Sequence, residues 1–190
     1  ILAVNMRFSA LYGVGYVLVR YRKNGVLKRF SVTPLRSWEF LTAQVLSRIF
    51  VIMATTSFVF VVIKLIYGFH CEGRYIDLAV LYFCGAFSLI SMGLVIASRF
   101  SSEELTDGIV NFISWPMMFL SEVWFSLEGT SPWVQKASKF FPLTHVTDAS
   151  RRIMNEGATL YDIRMNVVVL LGTAVFFLIV GSLLFRWDRK

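Results

Sequence analysis

Residues 78–98 read LAVLYFCGAFSLISMGLVIAS, with no charge and no proline. As a helix this run covers roughly 30 Å, which is the thickness of the hydrocarbon core of a bilayer. It is apolar all round and lacks the two-residue alternation of a membrane barrel strand, so it is read as a spanning helix. Working outward, residues 165–185 are also charge-free. Residues 41–67 carry Arg48 and Lys64 near the two ends. These lie about 24 Å apart along a helix, so each head can snorkel to its own interface. Residues 1–19 are apolar apart from Asn5 and Arg7, and 109–127 carry Pro116 and Glu122. The expectation is an all-α membrane protein with five transmembrane helices, over about 1–19, 41–67, 78–98, 109–127 and 165–185, in a single transmembrane domain 1–190.

Composition agrees. The 190 residues are 56% hydrophobic and 16% charged, against roughly a quarter charged in soluble domains. That excludes a soluble enzyme and a disordered chain. The net charge of +7 fits Lys and Arg collected in loops beside anionic headgroups, and nucleic acid is not an expected partner. Cys71 lies outside the spans and Cys84 inside one, so no bridge is expected. The first residue, Ile1, stands inside an apolar run, so the sequence is read as a piece of a longer chain.

Loop charge sets the orientation. Arg20, Arg22, Lys23, Lys28, Arg29 and Arg36 fall between the first two spans, against Arg74 alone between the next two. The first loop is therefore expected in the cytoplasm, and five spans place Arg186, Arg189 and Lys190 there too. The stretch 128–164 then lies outside despite Lys136, Lys139, Arg151, Arg152 and Arg164, which runs against the charge rule.

Two connections carry pattern. In 20–40, Val26, Leu27 and Phe30 lie at helical spacing, and Pro34 ends that short helix before another starts near Ser37 with Glu39 in its first turn. This is read either as an interfacial helix among headgroups or as a docking element tied to two spans. In 128–164, Ser131-Pro132 starts a helix with Trp133, Val134, Ala137, Phe140 and Phe141 on one stripe, and Pro142 ends it. A second starts at Thr144, with Val146, Ala149, Ile153 and Met154 on one side, and Asn155 and Gly157 end it. Each is expected to have about ten to twelve residues, too short to cross.

The run GVLKRFSVTPLRSWEFLTAQVLSRI resembles the coupling loop of ABC-2 type transporter permeases. The run NFISWPMMFLSEVWFSLEGTSPWVQKASKFFPLTHVTDASRRIM resembles the same family's fifth span and external hairpin, with Pro116, Pro142-Leu143-Thr144, Asp148-Ala149 and Arg151 in its order and spacing. The resemblance covers essentially the whole chain. It implies the last five of six spans, a cytoplasmic coupling helix in 20–40 and an external two-helix re-entrant hairpin in 128–164, with an entry helix and first span preceding them. The chain departs from the pattern at Arg22-Lys23-Asn24, where an acidic residue is common, and at Ser121-Glu122, where a Ser-Gly pair is.

The resemblance implies the membrane half of an ATP-driven exporter in the inner (plasma) membrane, its C-terminus cytoplasmic. A second copy, as a homodimer, and a separate ABC ATPase subunit are the implied partners, beside the lipid bilayer. No GxxxxGK[ST] phosphate loop is present, so ATP and Mg belong to the ATPase, and no cofactor, metal or catalytic residue is expected on this chain. Contact with the ATPase is expected at Asn24, Gly25, Lys28, Arg29 and Phe30. Arg7 and Glu122 come out at matching depths and are expected on the translocation path, as a pair within or across protomers or each snorkelling separately. Pro142, Thr144, Asp148 and Arg151 mark the external hairpin. The cargo is expected to be amphiphilic or hydrophobic: a glycan, a lipid-linked molecule or a drug-like one. A secondary transporter or channel working without ATP is the alternative reading.

Overall fold

The computed structural model describes residues 2–26, 37–68, 70–99, 102–124, 127 and 129–184. Seven helices hold nearly all of these: α1 (Leu2–Lys23), α2 (Ser37–Tyr67), α3 (Tyr75–Arg99), α4 (Glu103–Leu120), α5 (Pro132–Ser138), α6 (Pro142–Glu156) and α7 (Arg164–Leu184). No strand occurs among the described residues.

Among the described residues four helices are long and apolar enough to cross a membrane: Leu2–Tyr21, Thr42–Tyr67, Tyr75–Ser98 and Arg164–Leu184. They correspond to the first, second, third and fifth expected spans. The chain-internal burial of these windows differs sharply, at 67% for the third but 17% for the second and fourth. The helix α3 is therefore the hub, touching α1, α2, α4, α6 and α7, while α2 and α7 present broad apolar faces outward. Lipid tails are as apolar as leucine, so close backbone approach has to hold such helices together. Gly93 supplies it: a Cβ there would sit 3.3 Å from the Ala10 carbonyl oxygen and 3.4 Å from Leu11 Cα.

The expected span 109–127 is corrected. Its helix begins earlier, at Glu103, where the Ser102 hydroxyl accepts the Leu105 amide at 3.5 Å, and it stops at Leu120. Its 18 residues cover about 27 Å. Glu103, Glu104 and Asp107 in its opening turns keep it out of the helices apolar enough to cross. Ser121 closes the helix and Glu122 follows with a left-handed φ of 53°, so Glu122 stands beyond the helix.

The hairpin segment is also corrected. The helices have 7 and 15 residues, not ten to twelve each. Pro142 opens α6 in its first turn, where a missing amide hydrogen costs nothing, and Thr144 lies inside that helix. The α5 stripe packs only in part: Trp133 and Phe140 are 83% and 84% exposed, while Phe141 packs against the core. The α6 stripe packs. Leu143, Val146, Ala149 and Ile153 are fully buried, and Gly157 caps the helix at φ 67°. Burying a large aliphatic side chain is worth about 1.5–3 kcal/mol, so this face anchors α6 to the bundle. The α2–α3 loop docks on its far end, where the Glu72 amide donates to the Met154 carbonyl at 3.2 Å. Gly73 permits that contact, since a Cβ there would meet the Ile153 carbonyl oxygen at 2.5 Å.

Candidate functional site

The helices α1 and α4 run antiparallel, and polar groups link them along their length. Near one end, Arg7 Nη1 donates to the Ser114 carbonyl at 2.9 Å. Further along, the Tyr12 hydroxyl donates to Asn111 Oδ1 at 2.5 Å and the Tyr16 hydroxyl to Glu103 Oε2 at 3.2 Å. Lys23 Nζ closes the series 3.8 Å from Glu103 Oε1. Glu103 sits in the first turn of α4, where acid favours the helix dipole, and its carboxylate also reaches across to α1. On α4 the residues Glu103, Asp107, Asn111 and Ser114 are spaced four, four and three apart, which places them on one face.

Beside this seam lies a cleft of about 570 Å³, lined in part by Ser9, Tyr12, Tyr16, Arg48 and Asp107. Arg48 does not reach away from the bundle here. Its side chain lies over Gly13, where a Cβ would be 3.2 Å from Nη1. The cleft thus joins a cation, an anion and two phenols in the middle of otherwise apolar helices.

Arg7 is 2% exposed, and its guanidinium lies 3.9 Å over the Phe8 ring. It has no carboxylate partner among the described residues, and its Nε and the neighbouring Ser114 Oγ are buried without a hydrogen-bond partner. A buried group of this kind is costly and usually marks function in a membrane helix.

The expected pairing of Arg7 with Glu122 is corrected within this chain: Glu122 belongs to Arg151. Arg151 Nη1 is 3.2 Å from Glu122 Oε2, and its Nη2 donates to the Glu122 carbonyl. The other carboxylate oxygen accepts the Leu127 amide at 3.3 Å. Left-handed backbone favours glycine. Here the arginine clamp holds a glutamate in that conformation.

The other hairpin residues form the same junction. The Thr144 hydroxyl donates to Ser121 Oγ at 3.1 Å and to the Ser138 carbonyl at 2.6 Å. The Thr147 hydroxyl donates to the Ser121 carbonyl at 2.7 Å. Thr144, Thr147 and Arg151 recur at helical spacing, so one face of α6 satisfies the groups left open where α4 ends. Asp148 faces α7 instead, where Asn166 Nδ2 donates to it at 2.8 Å and to the His145 carbonyl at 3.1 Å.

Of the residues expected to meet an ATPase, Asn24 and Gly25 form the turn that ends α1, with the Asn24 amide on the Arg20 carbonyl and Gly25 at φ 68°. Lys28, Arg29 and Phe30 lie outside the described residues, as do Pro34 and the C-terminal Arg186, Arg189 and Lys190. Sequence reasoning missed Tyr12, Tyr16, Asn111, Ser114 and Arg48. The four-four-three spacing on α4 was a signal for two of those five, Asn111 and Ser114; tyrosines in an apolar helix gave none.

The sequence model of the family described as "ABC-2 family transporter protein" matches residues 1–183. The daunorubicin resistance ABC transporter permease protein DrrB1 of Streptomyces coeruleorubidus is 26% identical over 170 residues, covering 85% of this chain and 58% of that protein. The probable multidrug ABC transporter permease YbhR of Escherichia coli K12 is 25% identical over 146 residues, covering 75% of this chain and 39% of that one. The chain thus spans between about two fifths and three fifths of the length of these curated relatives. No solved structure matches it. With apolar spanning helices around a polar seam, and a family match that runs through nearly all of its length, this chain belongs to the ABC-2 family of transporter proteins.

Proposed function

We propose that the chain is the membrane permease part of an ATP-driven exporter that moves an amphiphilic or hydrophobic cargo out of the cytoplasm across the inner membrane. The observation that carries this reading is the polar seam of α1 and α4, from Arg7–Ser114 through Tyr12–Asn111 to Glu103, with its adjoining cleft. Intramembrane polar groups are retained where they face one another or a watered path. Relatives named as drug-resistance and multidrug permeases support a drug-like amphiphile.

In this reading a separate ATPase subunit supplies ATP hydrolysis and docks on residues 24–30, and a second copy of the chain completes the path, with Arg7 on its wall. The C-terminus is cytoplasmic. The α6 face that caps α4 carries motion of the hairpin to the seam.

The test is ATP-dependent efflux of an amphiphilic dye from vesicles holding the intact permease and its co-purified ATPase. Removing residues 24–30 is expected to abolish efflux and leave membrane insertion unchanged. Efflux that proceeds without ATP, or with no ATPase bound, overturns the reading in favour of a secondary transporter or channel.

A further inference from the structure

A second cavity, of about 390 Å³, opens between α2 and α3 at the end of the bundle that carries α5 and α6. Its lining grades from mouth to floor. Ser57, Val61, Lys64, Tyr75 and Ala79 at the mouth are exposed, while Thr56, Leu78 and Tyr82 at the floor are buried. The mouth is flanked by apolar side chains turned outward, Phe58 at 70% exposure and Leu65 at 79%. It therefore faces lipid.

Two polar features distinguish it from a packing gap. Lys64 Nζ donates to the Tyr75 hydroxyl at 2.7 Å and lies 4.8 Å over that ring. It has no carboxylate partner among the described residues, and Glu72 and Asp77, the nearby acids in sequence, do not line the cavity. At the floor, Thr56 is 4% exposed and its Oγ1 has no hydrogen-bond partner. An ordinary helical threonine bonds a carbonyl one turn back, as Thr55 does with Val51 at 3.0 Å. Thr56 is left with its hydroxyl unpaired beside an apolar chamber.

We propose that this cavity binds an acidic phospholipid of the leaflet on the α5–α6 side. The Lys64 ammonium takes the phosphate, Thr56 donates to an ester carbonyl, and Met53, Phe60, Leu78 and Tyr82 hold the start of an acyl chain. Lys64 and Thr56 lie about 12 Å apart along α2, a span that the flexible lysine stem shortens. A zwitterionic lipid offers the ammonium the same phosphate but sets a cation beside it, which weakens the attraction, and free phosphate would leave the apolar floor empty. Phe60 and Tyr82 also line the neighbouring cavity beneath α6, and Tyr82 accepts a hydrogen bond from Ser150 of α6 at 3.3 Å. The bound lipid therefore props the wall on which the hairpin rests.

The experiment is native mass spectrometry of the intact permease released from nanodiscs containing equal phosphatidylglycerol and phosphatidylcholine. Wild-type protein is expected to retain phosphatidylglycerol in preference by about tenfold, the factor that results when the choline cation offsets about 1.4 kcal/mol of the ammonium's attraction to the phosphate. Lys64→Gln is expected to bring the ratio near one and Lys64→Arg to keep it. Thr56→Val is expected to weaken retention of both lipids. Ala79→Phe, which fills the mouth, is expected to abolish it. Equal retention of the two lipids by wild type, or an unchanged ratio in folded Lys64→Gln, overturns the proposal. If Lys64→Gln does not fold, full retention in Thr56→Val and Ala79→Phe overturns it as well.

Discussion

Arg151 holds Glu122 twice, through the carboxylate at 3.2 Å and through the main-chain carbonyl, and so fixes a non-glycine residue at φ 53° at the point where α4 ends. Removing the guanidinium frees both groups. Arg151→Ala is expected to cost about 1–2 kcal/mol, discounted for a pair that is half open to solvent. Thermal unfolding in detergent reads this. The reversed pair, Glu122→Arg with Arg151→Glu, is expected to recover only part, because a glutamate cannot donate to the carbonyl.

Glu122→Gly separates strain from charge. Glycine relieves the left-handed backbone by about 1 kcal/mol and loses the carboxylate contacts to Arg151 and the Leu127 amide. Near-wild-type stability with altered efflux is the expected result. A large loss of stability would show that the carboxylate contacts outweigh the backbone term.

Arg7 is expected to behave in the opposite way. A buried cation lacking a carboxylate bears its desolvation cost without a countercharge, so an apolar side chain of similar size in its place is expected to be neutral or stabilising. Arg7→Met is expected to hold or raise the unfolding temperature while efflux falls severalfold. Exchanging Arg7 and Glu122 is not expected to restore what either single reversal loses, since each has a different partner.

Gly73 and Gly108 give a matched pair. A Cβ at Gly73 meets the Ile153 carbonyl at 2.5 Å, while at Gly108 nothing lies within 4 Å. Gly73→Ala is expected to destabilise by about 1–3 kcal/mol by pushing the loop off α6. Gly108→Ala is expected to be neutral or to stabilise α4 by about 0.5–1 kcal/mol. Equal melting temperatures for the two variants would contradict this packing.

Asp162 precedes α7 and accepts the Thr159 amide at 2.9 Å and its hydroxyl at 2.8 Å. These bonds favour the ionised form and hold the carboxyl below its usual range. The folded pKa is depressed, so the turn gains from ionisation above the ordinary value and loses that gain as pH falls through the folded one. Amide exchange across 157–163 is expected to quicken only below that lower pH. Thr159→Ala is expected to move the transition upward.

The sequence by itself determined the solvent of this protein. Long charge-free runs such as 78–98 have to be helical in lipid, because no other local structure pairs every backbone group within its own segment. It also showed the hairpin face of α6, since Val146, Ala149 and Ile153 repeat at helical spacing, and the family likeness through Pro116 and Pro142-Leu143-Thr144. It did not show where α4 stops. Residues 109–127 are apolar enough to look like one span, and the break at Ser121 and Glu122 follows from Arg151 and Thr147, 29 and 26 residues further on. The partners of Arg7 and Glu122 were equally out of reach. Depth along a helix can be counted from the sequence, but which face turns to which neighbour is set by packing. Only the assembled bundle, with α3 at its centre, brought Arg7 to Ser114 and Glu122 to Arg151.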